Sequence, residues 1–249
     1  MTENKNDVKM MLDLLSKNVP LAVQDSFDAQ GKKIGLIIID AVNGFCTPGM
    51  GNLAPRGADP RIDLAISKID RMAHNILSIG GKVLTERDIH SEDTPEYPYP
   101  AHCVRGTGEE LLVPELQWLN GVPGVTDSAK HCINALVGTM RFGGGNGVIE
   151  WIVSNQIEIP IIVGFCTDIC VLEYALTLMS VKNMRQLQMM QNVVAIPDAC
   201  ATYDLPIEVA LEIGVPALAH PAEIFHHMAL TMMQKSGIIL AEDIAVSLP

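Results

Sequence analysis

The run from Gly164 to Val171 (GFCTDICV) contains a cysteine whose position favours chemistry. Cys170 follows an apolar strand-like run and lies near the start of a helical pattern, which Thr167 or Asp168 is placed to cap. The free amides of a first helical turn and the helix dipole favour a thiolate and can bind an oxyanion. The pattern therefore predicts a nucleophile. Considered alone, Cys170 would suit a buried structural thiol equally well.

Two further residues could activate such a thiol. Asp40 ends the apolar run Ile34–Ile39, and Lys130 follows another strand-like segment. Considered alone, Asp40 suits a turn or helix cap and Lys130 suits the surface. Together with Cys170 they supply a base, a cation that stabilises a thiolate and an attacking sulfur, which is the set that nucleophilic amide cleavage requires.

A second group of residues suits a metal ion. Asp88 and His90 are two positions apart at the end of a strand-like run, so both side chains point to one side. His102 is a candidate third ligand, and Glu96 could bind directly or orient a water. Two histidines and a carboxylate suit one divalent ion, zinc foremost, with iron or manganese as alternatives. The D-x-H spacing is common and also occurs in loops with unrelated histidines.

The elements that must position these residues alternate between strands and helices. The β-branched runs predict strands at Ile34–Ile39, Lys82–Thr85, Gly121–Thr126, Pro160–Val163 and Asn192–Ile196. The helical periods between them predict helices at Pro60–Ile79, Glu109–Leu119, Gly147–Gln156 and Asp168–Val181. This alternation predicts an α/β fold of three layers, a doubly wound, mostly parallel sheet with helices on both faces. The candidate residues then meet at the carboxyl edge of the sheet, where ligands bind.

The remaining segments give no sign of a second domain. Residues 1–30 are expected to form an N-terminal helix (Asp7–Ser16) and an irregular arm, so residues 1–249 are predicted to be a single domain. The glycine-rich stretch Phe142–Gly147 lacks the lysine and hydroxyl residue of a phosphate loop, and a flexible loop is the simpler interpretation.

Composition excludes several classes of partner. Seventeen basic and 29 acidic residues give a formal charge of -12, which repels nucleic acid and anionic lipid, so neither is an expected partner. The first residues show no apolar signal core, and a cytoplasmic location is expected. The six cysteines include no C-x-x-C pair, which argues against a structural zinc knuckle.

Several segments in this order resemble one enzyme family. They are Ile39–Cys46, Tyr97–Cys103, Lys130–Asn134, Gly164–Val171, Cys200–Pro206 and His220–Glu223. The combination is similar to the nicotinamidase branch of the isochorismatase-like cysteine hydrolases, in particular its plant-type members, from about Gly35 to Gly237. The resemblance implies hydrolysis of nicotinamide, a small amide, to nicotinate and ammonia through a cysteine thioester. It also implies the triad and metal ligands named above.

The same resemblance implies further roles. The backbone amides of Cys166 and Cys170 would form the oxyanion hole, with a cis peptide bond before Cys166. Phe45 and Tyr99 would pack against a pyridine ring whose nitrogen binds the metal. The chain departs from many relatives at Ile89 and Leu136, where aromatic residues are frequent, and both positions bear on the outline of the ring pocket.

Three alternatives stay open at the level of sequence. A related cysteine amidohydrolase could act on another small amide, or the same fold could cleave an isochorismate-like vinyl ether. A non-catalytic binding protein could also retain the fold. The metal cluster argues against relatives that lack it, and the intact catalytic set argues against a non-enzyme. We also expect a homo-oligomer, with the apolar segment Met228–Met233 as one candidate interface.

Overall fold

The computed structural model describes residues 5–93, 96–185 and 187–246. Its strands are β1 (Val23–Gln24), β2 (Phe27–Asp28), β3 (Ile34–Ile39), β4 (Lys82–Asp88), β5 (Val125–Lys130), β6 (Ile159–Phe165), β7 (Val194–Ala201), β8 (Ile239–Ala241) and β9 (Ile244–Ala245). Its α-helices are α1 (Lys5–Asn18), α2 (Asn43–Cys46), α3 (Pro60–Ser78), α4 (Ala135–Gly138), α5 (Gly147–Asn155), α6 (Leu172–Asn183), α7 (Ile207–Ile213) and α8 (Ala222–Lys235). Two 3-10 helices (Pro114–Leu119 and Pro216–Leu218) and a π-helical turn (Thr167–Val171) complete the elements.

Seven strands form one parallel sheet in the order β1-β8-β7-β6-β3-β4-β5. Strands β2 and β9 pair separately. The central pairs place Ile39 beside Gly164 and Asp88 beside Lys130, so the carboxyl ends of four strands lie at one edge. The predicted parallel α/β sheet is confirmed.

Each face of the sheet carries its own core. On β3, Leu36 and Ile38 pack on the side covered by α3, whereas Ile37 and Ile39 pack on the side covered by α5 and α6. Because both faces are covered, the strand is apolar throughout and all six of its residues are buried. The three-layer arrangement holds the strand ends, and hence the residues that follow them, in fixed positions.

The helix predicted at Glu109–Leu119 is wrong over its first half. Only a 3-10 helix from Pro114 is found there. The Glu109 carboxylate accepts a hydrogen bond from the Cys103 amide at 2.9 Å, and the Glu110 carboxylate accepts from the Gly106 amide at 2.7 Å. These acidic side chains stabilise a loop instead of a helical turn.

The third predicted strand begins later than its sequence pattern indicates. Gly121 and Gly124 have φ angles of +76° and +92°, which suit turns, so the strand starts at Val125. The strand ends at Lys130, so Lys130 is its last residue and does not follow it.

The N-terminal arm is more regular than expected. It contains β1 and β2 after α1, and β1 extends the main sheet by pairing with β8. The glycine-rich stretch forms turns that lead to Asn146, whose side chain caps α5 by accepting from the Ile149 amide at 3.0 Å. Among the described residues, no helix has both the length and the apolar character needed to cross a membrane.

Candidate active site

Asp40 follows β3 and is fully buried. Its φ angle of +50° is unusual for a residue with a side chain, and it turns the chain at the strand end. One carboxylate oxygen, Oδ1, accepts a hydrogen bond from the Asp88 amide at 2.8 Å, and the other lies 2.9 Å from the Lys130 ammonium. Burial raises the pKa of Asp40 to about 6, although Lys130 opposes this. The carboxylate is thus poised to exchange a proton near neutral pH.

Lys130 is a buried cation at the centre of the site. Its Nζ atom lies 2.9 Å from Asp40 Oδ2, 3.1 Å from Asp88 Oδ1, 3.1 Å from the Cys132 carbonyl oxygen and 3.7 Å from Cys170 Sγ. Burial by itself lowers a lysine pKa, but the carboxylates raise that of Lys130 above its ordinary value. The side chain is therefore a fixed positive charge beside the sulfur.

Cys170 lies in the π-helical turn between β6 and α6. The cap predicted from Thr167 or Asp168 is wrong, since Cys166 occupies the cap position and no side chain caps the turn. The Cys166 carbonyl oxygen accepts from the amides of Ile169 at 3.1 Å and of Val171 at 3.2 Å. The second of these bonds spans five residues and passes over Cys170.

The amides of Cys166 and Cys170 lie in the segment that leads from β6 into α6. Within the described part of the chain, neither amide donates a backbone hydrogen bond that leaves its own helix or strand. The peptide bond from Phe165 to Cys166 is cis, as the family resemblance implies. Backbone N–H groups placed beside a thiol can bind a developing oxyanion.

Burial opposes ionisation of the Cys170 thiol. Burial raises its pKa well above the ordinary value, and the ammonium of Lys130 opposes this only in part. A base must remove the proton during the reaction, and Asp40 is the nearby group with a suitable pKa.

Four donor side chains converge beside the triad. The Nε2 atoms of His90 and His102 each lie 3.0 Å from Asp88 Oδ2 and 3.8 Å from Glu96 Oε2. One donor atom from each residue falls within 4.8 Å of all the others. Lys130 and the two histidines hold the pKa of Asp88 well below its usual range despite burial, so it is a carboxylate.

The donor set fits a divalent metal. Two ligands bonded to one ion at about 2.0–2.1 Å and at right angles lie about 3 Å apart, which matches the nitrogen–oxygen separations found. His102 Nδ1 is 2.8 Å from the Pro100 carbonyl oxygen, so it must donate and leave Nε2 free to bind. Glu96 is held in turn, because its Oε1 accepts from the Ile133 amide at 2.7 Å.

A pocket joins the thiol to this metal-donor cluster. Phe45 and Tyr99, the predicted ring contacts, both line it, and each ring centroid lies within 6 Å of the His102 ring, at 5.7 Å and 5.9 Å respectively. Ile89 and Leu136, the positions that depart from many relatives, do not line it. The pocket has an apolar wall suited to a flat ring.

Sequence reasoning missed four residues of this wall. They are Leu53, Ile133, Ile169 and Tyr203. Three of them lie within or next to the family-like segments, but nothing in their residue type separates a pocket wall from an ordinary core position.

The chain belongs to the isochorismatase family, whose isochorismatase-domain model matches residues 35–242. Among individual proteins, it is 38% identical over 236 residues to Nicotinamidase 1 of Arabidopsis thaliana. This alignment covers 94% of this chain and 96% of that protein.

Solved structures share the fold. Nicotinamidase PncA of Bacillus subtilis superimposes with a TM-score of 0.64 at 23% identity, over 84% of this chain and 99% of that one. A pyrazinamidase of Pyrococcus horikoshii, solved in complex with zinc, superimposes with a TM-score of 0.57 at 19% identity. The superposition covers 84% of this chain and 98% of that one. At these identities the likeness establishes architecture alone.

Proposed function

We propose that this chain is a nicotinamidase, which hydrolyses nicotinamide to nicotinate and ammonia. The observation that carries the proposal is a single pocket with two groups of residues beside it. One group is the Cys170 thiol with Asp40 and Lys130, and the other is the cluster of metal donors. A small amide fits such a site because one end must meet the sulfur and the other the metal donors. The likeness to a named nicotinamidase along almost the whole chain supports the same substrate.

The reaction begins with proton transfer. Asp40 accepts the Cys170 proton, since its pKa of about 6 lets it act as a base at neutral pH. Lys130 stabilises the resulting thiolate from 3.7 Å. The sulfur then attacks the carboxamide carbon, and a carbon–sulfur bond forms as the carbonyl oxygen becomes an oxyanion.

Two amides and one acid carry the remaining steps. The N–H groups of Cys166 and Cys170 hold the oxyanion, each contributing about 3–4 kcal/mol by analogy with other oxyanion holes. Asp40 returns its proton to the departing ammonia, and the carbon–nitrogen bond breaks to leave a thioester. Asp40 next takes a proton from a water whose oxygen attacks the thioester carbon. The carbon–sulfur bond then breaks, Asp40 returns the proton to the sulfur to restore the thiol, and the nicotinic acid released ionises to nicotinate.

Asp88, His90 and His102 would hold one divalent ion, with Glu96 as a direct ligand or as an orienting group. We propose zinc, for which two histidines and a carboxylate are suitable ligands. When bound, the ion supplies a Lewis acid for the pyridine nitrogen. Phe45 and Tyr99 pack against the ring and exclude water from it.

A panel of amides tests the proposal. Purified protein is assayed for ammonia release from nicotinamide, pyrazinamide and aliphatic amides, each with and without chelator. We expect pyridine and pyrazine carboxamides to be preferred and the chelator to weaken their binding. Activity on aliphatic amides alone would replace nicotinamidase with the related cysteine amidohydrolase considered above.

We further propose a cytoplasmic single-domain protein that forms a homo-oligomer and binds neither nucleic acid nor membrane surfaces. The formal charge of -12 supports the absence of nucleic-acid and membrane partners.

The segment proposed as an oligomer interface is only partly exposed. Met228 and Met232 are exposed on α8, whereas Leu230 and Met233 are buried in the core. The candidate interface is therefore narrower than the segment Met228–Met233. Light scattering coupled to size-exclusion chromatography measures the oligomeric state.

A further inference from the structure

A second cavity borders the metal-donor cluster. It has a volume of about 130 Å³, and His90, Glu96 and His102, three of the four donor residues, line it. Glu96 and His102 also line the pocket that reaches the thiol, here called the thiol pocket. Neither Cys170 nor Asp88 lines the second cavity, here called the outer cavity. The donor cluster therefore borders two separate spaces, and only one of them reaches the nucleophile.

The outer cavity opens to solvent. Ser91, Glu92 and Ala101 are exposed residues of its lining. His90 and His102, by contrast, are only 4% exposed. The cavity therefore leads from the protein surface to the buried donors, and a space of this volume holds several water molecules.

The lining of the outer cavity suits a hydrated divalent ion. Glu92 places a carboxylate at the exposed end, and Glu96 places a second one beside the donors. Carboxylates attract a cation from solution and raise its local concentration. The thiol pocket is a less suitable passage, because Cys166 and Cys170 line it and sulfur is a strong ligand for zinc. An ion that entered through the thiol pocket would be exposed to the nucleophile.

One nitrogen of His90 favours water in the outer cavity. The Nε2 atom of His90 faces the other donors, at 3.0 Å from Asp88 Oδ2. Its Nδ1 atom is buried, and among the described residues it has no hydrogen-bond partner. An imidazole that binds a metal ordinarily donates its second N–H to a carboxylate, a carbonyl or a water. Because His90 lines the outer cavity, water in that cavity can provide this partner.

We infer that the outer cavity is the route by which a divalent metal ion reaches and leaves the donor cluster, and that Glu92 attracts the hydrated ion to its mouth. This inference rests on the proposed metal centre. Metal exchange then uses a path that the substrate does not occupy. The ion can therefore be loaded whether the thiol pocket is empty or filled.

Zinc uptake by the apoprotein tests the route. Protein stripped with chelator and checked by elemental analysis is mixed with Zn²⁺ in stopped flow, and free zinc is followed with a chromogenic indicator. Ala101→Trp places a large ring in the lining of the outer cavity and should slow uptake at least about tenfold. Leu53→Trp, the matched control, places the same ring in the lining of the thiol pocket and should change the uptake rate less than about twofold.

Glu92→Gln tests the charge at the mouth of the outer cavity. It should slow zinc uptake about threefold to tenfold at low ionic strength. The difference from the wild-type rate should shrink as salt is added, because salt screens exposed charges. Glu212→Gln, which removes an exposed carboxylate on α7 outside the cavity, should keep the wild-type uptake rate.

Zinc release distinguishes a narrowed route from a distorted site. Release is measured by adding excess chelator to the loaded protein. A barrier on the route is crossed in both directions, so Ala101→Trp should lower the association and dissociation rates by the same factor and leave Kd unchanged. A distorted donor cluster would instead raise Kd. Val104→Phe, at another position in the lining, repeats the test where Ala101→Trp does not fold.

The inference is overturned if neither Ala101→Trp nor Val104→Phe lowers the two rates together, or if Leu53→Trp lowers them. It is also overturned if Glu92→Gln takes up zinc as fast as Glu212→Gln at low salt. These outcomes leave the proposed nicotinamidase activity intact. Failure of the wild-type apoprotein to bind zinc would instead refute the proposed metal centre on which the inference rests.

Discussion

Replacing Lys130 with methionine removes the buried cation while keeping a side chain of similar length. The ammonium lies 3.7 Å from the Cys170 sulfur. At an effective dielectric constant of about 20, a charge pair at this distance is worth about 4 kcal/mol, which corresponds to about 1,000-fold in rate. Asp40 also loses its partner at 2.9 Å, which raises its pKa further and removes a base at neutral pH. The loss should therefore reach at least about 1,000-fold in kcat/KM.

The same substitution destabilises the fold. Asp40 and Asp88 would remain buried without their shared cation, and breaking a buried ion pair costs about 3–5 kcal/mol. Urea unfolding must first show that Lys130→Met is folded at the assay temperature. Ammonia release is then measured against Lys68→Met, which removes a lysine paired with the exposed Asp198 at 3.4 Å and should leave the rate unchanged. A folded Lys130→Met variant within tenfold of wild-type kcat/KM would refute the reasoning.

Four other predictions concern the thiol, the metal donors, a buried histidine and a glycine. Cys170→Ala should abolish ammonia release yet still bind nicotinamide in calorimetry. Removal of metal, verified by elemental analysis, should raise KM for nicotinamide at least about tenfold, and unchanged kinetics would contradict the proposed anchoring role. As the pH falls from about 6.5 to about 4, the unfolded chain protonates His226 before the folded protein does, so the free energy of unfolding should drop by about 2 kcal/mol, with a smaller drop in His226→Asn. Gly164→Ala should destabilise the protein by about 3 kcal/mol in urea unfolding, because φ is +127° and a Cβ would overlap the Ile39 carbonyl oxygen.

The central part of the fold could be predicted because its signal is local. The strand Ile34–Ile39 has the predicted bounds, since an uninterrupted apolar run suits a strand covered on both faces. The side chains of Asp88 and His90 contact each other because residues two positions apart in an extended chain point to the same side. In contrast, the helix predicted from Glu109 depended on residue type, and hydrogen bonds from carboxylates to loop amides outweighed that propensity.

Other features of the site depend on contacts between distant parts of the chain. Lys130 was predicted as a catalytic residue, but its burial could not be predicted from its residue type and is explained by its two carboxylate partners. Thr167 has the pattern of a cap, but Cys166 occupies the cap position and the Thr167 hydroxyl contacts His226, on a helix near the other end of the chain. The pairing of β1 with β8 likewise joins opposite ends of the chain, and two or three residues give no periodic signal.

The central claim is that Cys170 attacks the amide and carries the acyl group. The most direct measurement is rapid acid quenching of the protein during turnover of nicotinamide, followed by mass spectrometry of its peptides. We predict a nicotinoyl thioester on the peptide that contains Cys170 and none on the peptides of the other cysteines. An acyl group on a different cysteine, or undiminished ammonia release by Cys170→Ala, would contradict it.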